Sequence, residues 1–127
     1  MAASSGITDA GHASMLDAYL ASGDHIAWSA NGTSETGSVA RTAIVGWTAA
    51  TAANPSVKAG PSSGVGALQS AAASAGVTVT HWCVYSVSTA GTQKTKWTAL
   101  DTQVVLISGA KIDIAVNALK VQLAPIS

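Results

Sequence analysis

Three histidines, six carboxylates and one cysteine are the side chains with which this 127-residue chain could do acid–base, nucleophilic or metal chemistry. A helical metal site asks for two histidines four residues apart, and His12, His25 and His81 offer no such spacing. Asp24 and His25, together with Asp9 and His12, could gather two imidazoles and two carboxylates, but a polar cluster at the ends of a helix is the simpler account. His81 stands beside Trp82 in the most apolar segment of the chain, where a packed, hydrogen-bonded imidazole is expected. A nucleophilic Cys83 would need a base and an electropositive setting. Between Trp82 and Val84, with no cation within three residues, it reads as a buried and inert thiol. Serine is abundant, yet no G-x-S-x-G elbow is present. The run from Gly60 to Gly66 is glycine-rich but lacks the lysine and following helix of a phosphate loop. Glu35, Asp101 and Asp113 are the carboxylates that could flank a glycosidic bond, and none has a suggestive context. Asn31-Gly32-Thr33 fits a glycosylation sequon and is more simply a turn. No catalytic, cofactor-binding or metal-ligating residue is assigned, and the chain is expected not to be an enzyme.

The elements that would have to position such residues are mostly strands. Residues 12–21 form the one helical pattern, with Met15, Leu16, Tyr19 and Leu20 on a stripe. Thr8 or Asp9 can cap its start, and Gly23 suits the left-handed position after its end. From His25 onward the period changes to two. Residues 25–28 predict a short strand, Asn31-Gly32 a turn, and residues 39–47 a longer alternating strand. Residues 48–75 are Ala-, Ser- and Gly-rich, with brief strand candidates near Val57 and over 65–68. Residues 77–87 give the strongest strand, with Val77, Val79, His81, Cys83 and Tyr85 on one face and Trp82 and Val84 on the other. Apolar on both faces, it is expected to lie centrally. A hairpin over 88–92 leads to a return strand at 94–100. Further strands are predicted at 104–107, around Ile112 to Val116, and over 119–123, with breaks at Ser108-Gly109 and Asn117. Short strands at this spacing predict a mainly β fold, an antiparallel sandwich or barrel-like domain with one short N-terminal helix. Residues 1–12 are expected to be a flexible arm and residues 13–127 a single domain.

Only 9% of the residues are charged, against about 25% in a typical soluble domain, and the net charge is zero. Such a surface must be largely small and neutral, which favours association. With no basic surplus, nucleic acid is not an expected partner. No run of about 18 apolar residues predicts a membrane span, and the first residues lack the features of a signal peptide. A single cysteine suits folding in a reducing cytoplasm. Phenylalanine is absent and there are four tryptophans. Trp28, Trp47, Trp82 and Trp97 are read as the bulk of a small-residue core and its contacts rather than as a sugar-stacking platform.

The order of the motifs carries a further indication. A Met15-Leu16-Asp17-Ala18-Tyr19-Leu20 helix is followed by a Glu-x-Gly-Ser-x-Ala-Arg segment at 35–41. Then come Val-Thr-Val-Thr-His-Trp-Cys-Val-Tyr-Ser at 77–86, Trp-Thr-Ala-Leu at 97–100 and Leu-Lys-Val-Gln-Leu at 119–123. This succession resembles the small structural proteins of tailed bacteriophage virions, of the minor capsid, decoration or tail-fibre type. The resemblance implies a structural role without catalytic residues or cofactors. It leads us to expect a capsid decoration protein on the outside of the major capsid protein shell, in the virion, made in the host bacterial cytoplasm. A tail or tail-fibre component and a carbohydrate-binding attachment module are the alternatives. The expected partners are the major capsid protein, or tail proteins, of the same phage and further copies of the chain, with a trimer favoured.

Overall fold

The computed structural model describes residues 6–21, 23–53 and 55–123. Helix α1 (Asp9–Tyr19) starts where Thr8, in extended conformation, accepts a hydrogen bond from Gly11 N at 3.1 Å through its hydroxyl. Asp9 in the first turn suits the positive end of the helix dipole. Leu20 turns extended and ends the helix, and Gly23 takes a positive φ of 96°. The helix begins earlier than its apolar pattern indicated, so residues 9–12 belong to it and not to an arm. Residues 1–5 of the expected arm lie outside the described residues. Of the predicted stripe, Leu16 and Leu20 are buried while Met15 and Tyr19 are exposed; Ala13 completes the buried side.

Among the described residues eight strands follow: β1 (His25–Ser29), β2 (Thr42–Ala43), β3 (Ser56–Gly60), β4 (Leu68–Gln69), β5 (Val77–Tyr85), β6 (Thr98–Leu106), β7 (Asp113–Ile114) and β8 (Leu119–Leu123). They form a four-stranded sheet in the order β2-β1-β5-β6 and two strand pairs, β3-β8 and β4-β7, all antiparallel. One buried cluster joins them. It takes Leu16 from the helix and Leu20 from its end, Ile26, Trp28, Val79, Trp82 and Val84 from the large sheet, Ile114 and Leu119 from the small pairs, and Ile112 just before β7. The expected mainly β, antiparallel architecture with one short helix is what the chain adopts, and β5 is an interior strand as its two apolar faces indicated.

Three strand expectations are corrected. The strand expected over 39–47 pairs only at Thr42–Ala43, although burial alternates from Thr42 to Val45, with Thr42 and Ile44 inward. The two strands expected at 94–100 and 104–107 are one continuous strand, β6, and residues 94–97 approach it as irregular chain. The facing of β5 also changes partway. Val77 and Val79 lie on the same side as Trp82 and Val84, because the β5–β6 register shifts between Val79 and His81. An irregularity of this kind reverses the odd–even rule on one side of it while the core face stays in place.

Lys58 on β3 is buried and meets the Asp17 carboxylate of α1 at 2.5 Å, which fixes the helix on the β3-β8 pair. Lys94 reaches the buried Asp24 at 2.8 Å and the Tyr19 carbonyl at 2.6 Å, which anchors the C-terminal end of the helix. The third ion pair, Glu35–Arg41, belongs to the outer face of the large sheet.

Candidate functional site

The outer face of the large sheet places His25 beside Tyr85, Ala27 beside Cys83 and Ser29 beside His81. Residues 31–41 fold back over it. Ser29 starts the return: its buried hydroxyl accepts from Asn31 N and Gly32 N at 3.2 and 2.9 Å and donates to Ser34 O at 2.6 Å. Asn31 Oδ1 then accepts from Thr33 N and Ser34 N, so the expected turn is there, held by its own side chain. Gly32 has a φ of 76°, and a Cβ on it would stand 2.8 Å from His81 Nε2. The positive φ favours glycine, and any larger residue would also push the His81 ring aside.

Arg41 closes the flap. Its guanidinium makes two 2.9 Å bonds to the Glu35 carboxylate, sits 3.7 Å from the centre of the Tyr85 ring, and donates to Val87 O and Ala90 O of the β5–β6 hairpin. The Glu35 bonds raise the Arg41 pKa above its usual value. Cys83 lies fully buried near this pair, and its thiol is pushed up to about 12, first by burial and then by the Glu35 charge. The sequence neighbours of Cys83 contain no cation, but Arg41 approaches it in space; burial and Glu35 outweigh that guanidinium. A thiol so placed stays protonated at neutral pH and is a poor nucleophile.

The other candidate groups are dispersed. Asp24 accepts from Lys94 and Ala21 N, His25 bonds the Gly23 carbonyl at 2.8 Å, and Asp9 is exposed in the first helical turn. His12 Nδ1 is buried with no hydrogen-bond partner among the described residues. His81 Nδ1 is 2.7 Å from Thr80 Oγ1. Among the described residues no three His, Cys, Asp or Glu side chains gather as a metal site would require. Glu35 is taken by Arg41. Asp101 and Asp113 border one cleft of about 440 Å³ between β6 and the β7–β8 segment, where Gln69 holds Asp113 at 2.8 Å. Trp28 and Trp82 form the floor of that cleft but are only 1% and 5% exposed, so neither offers a ring face to a sugar. Trp47 is packed against the core, and Trp97 is half-buried just before β6. No helix among the described residues is long and apolar enough to cross a membrane.

What is left open is a surface. β6 pairs with β5 on one side and, among the described residues, with no strand on the other. Of its nine residues only Asp101 is charged. Val105 and the adjoining Ile107 are 70% and 75% exposed. Sequence patterning made residues 104–107 a strand but did not signal that its outward side stays uncovered. The three ion pairs among the described residues, which sequence spacing also did not reveal, engage six of the twelve charged side chains and leave the surface poorer in charge than composition alone suggests. No model of a known protein family, no curated protein and no solved structure matches the chain.

Proposed function

We propose that the chain is a structural protein of a tailed-bacteriophage virion, a capsid decoration or minor capsid protein bound to the outside of the major capsid protein shell. One observation carries the reading: half of an already small set of charges is tied up in ion pairs, while a long strand edge with large aliphatic side chains faces solvent. Protein surfaces of that kind are normally covered by a neighbour. The ionisable groups, each engaged in local structure or held apart, suit a role without catalysis. The order of motifs along the chain supplies the phage context. The buried indoles of Trp28 and Trp82 weigh against a carbohydrate-binding module, because stacking needs an open ring face.

The test is the number of copies per purified particle, measured by quantitative mass spectrometry, with location from a cryo-reconstruction. Hundreds of copies on the shell are expected. A handful at the tail would make the chain a tail or fibre component instead, and absence from particles would end the virion reading.

A further inference from the structure

We infer that the cleft between α1 and β8 receives an extended acidic segment of a partner protein, with a large apolar side chain on its floor and carboxylates at its rim. The cleft has a volume of about 520 Å³ and lies between Tyr19 of the helix, the irregular chain at 94–96 and residues 120–123 of β8. Its floor is apolar: Leu16 and Trp82 are 4% and 5% exposed, and the half-buried Val121 and Leu123 extend it. Its rim is cationic. Lys94, Lys96 and Lys120, three of the six lysines and arginines in the chain, border this one cleft, and no carboxylate among the described residues does. Lys94 is neutralised by the buried Asp24. Lys96 and Lys120 are exposed and make no ion pair among the described residues. Two unpaired positive charges over an apolar floor are complementary to a ligand that is anionic and apolar at once.

The walls of the cleft favour a peptide over an acyl anion. β8 pairs with β3 on one side and, among the described residues, with no strand on the other. Successive side chains of a strand point to opposite faces, so four consecutive residues border one cleft only along the strand's edge. That edge offers backbone N–H and C=O groups, which an extended peptide can bond and an acyl chain cannot. Tyr19, Lys96, Thr98 and Lys120 are exposed, so the cleft is open along its length. An acyl chain lying there would stay wet on one side, whereas a small-molecule pocket buries about 70–90% of its ligand. Inorganic phosphate would gain nothing from the floor, and nucleic acid would set a row of phosphates against only two free cations. The inference rests on the virion reading for one point, the source of the segment, which is then the major capsid protein.

Titration of the full chain, followed by its backbone amide NMR signals, tests the cleft with the probe acetyl-Glu-Val-Glu-Leu-Glu-amide. Saturable shifts are expected at Thr95, Lys96 and residues 120–123, with the flap over residues 31–41 unmoved. An analogue with glycine in place of the valine and leucine, and one with lysine in place of the glutamates, should each bind at least tenfold more weakly. Lys96→Gln with Lys120→Gln, both at exposed positions, should keep the melting temperature and weaken the probe about tenfold, the order that two exposed ion pairs give. Lys111→Gln, outside the cleft, should leave probe binding unchanged. No saturable shift at millimolar probe overturns the inference. So do equal shifts from all three peptides or from inorganic phosphate. Dodecanoate that saturates the cleft where the acidic peptide does not overturns it in favour of an acyl-anion site. A double glutamine variant that loses the probe yet coats particles as fully as the wild type overturns the assignment to the shell protein and leaves the virion reading intact. A chain that binds the probe but is absent from particles supports the cleft and removes the virion reading.

Discussion

Replacing Arg41 by alanine removes a side chain that touches the flap, the sheet and the hairpin at once. Its guanidinium is 7% exposed and Glu35 is 28% exposed, so the pair is screened less than a surface ion pair but is not dry. A hydrogen bond to a charged partner contributes about 1.5–3 kcal/mol and a partly desolvated cation–π contact about 1–2 kcal/mol, and these overlap. A net loss of about 3 kcal/mol follows, because Glu35 can rotate to water and the freed Val87 and Ala90 carbonyls lie in an exposed loop. For a domain of this length that lowers the melting temperature by roughly 10 °C. The second readout is Cys83. With the clasp gone the flap opens more often, so a thiol reagent should label Cys83 at least tenfold faster under native conditions. Lys96→Ala, exposed and without an ion pair among the described residues, should change neither readout. Arg41→Ala that melts within 2 °C or so of the wild type, with unchanged labelling, would refute the view that this clasp holds the flap.

Four further outcomes are expected. Val84→Asp buries an unpaired carboxylate in an interior strand at a cost of several kcal/mol and should leave no soluble folded protein, whereas Ser88→Asp, in the exposed hairpin loop, should be nearly silent by thermal melting. Cys83 in the wild type should resist labelling at neutral pH until denaturant is added, since its thiol is pushed up to about 12. Asp17 has its pKa lowered, first by the Lys58 hydrogen bond, so its contribution is present above the ordinary carboxylate range and is lost as pH falls through the lowered value. Acid titration of the melting temperature should show that loss, and Lys58→Met should flatten this part of the profile. Gly32→Ala places a Cβ against the His81 ring at a positive φ and should destabilise by about 1–3 kcal/mol in denaturant melts.

Where burial and periodicity act on the same residues, sequence and structure agree. β5 declared itself through Val79, Trp82 and Val84, β8 through Leu119, Val121 and Leu123, and the break before β8 through Asn117, which takes a φ of 58°. The reversal of facing within β5 was hidden, because Val77, Val79, Cys83 and Tyr85 are apolar enough for either side. The shortness of β2 was hidden for another reason: residues 39–47 alternate well, but a strand needs a partner, and β1 offers one only at His25 and Ile26. The ion pairs join positions up to 70 apart in sequence, beyond the reach of any local pattern. Asp24 and His25 looked like one polar group from their adjacency; Lys94 draws the aspartate away, and the histidine turns to the Gly23 carbonyl.

The register shift in β5 also bears on cooperativity. Strand β1 accompanies β5 only over His81–Tyr85, whereas β6 stays with it as far as Val77. Beyond the shift the sheet is a two-stranded ribbon, tied to the buried cluster through Val79 and Leu106, and its rungs, lacking a third strand, open more readily than those that β1 shares. Amide hydrogens of Cys83 and Val84 should then exchange only on global unfolding, while those of Thr78 and Val105 exchange through smaller openings. One strand thus spans two units of stability, with Thr80 as the joint between them.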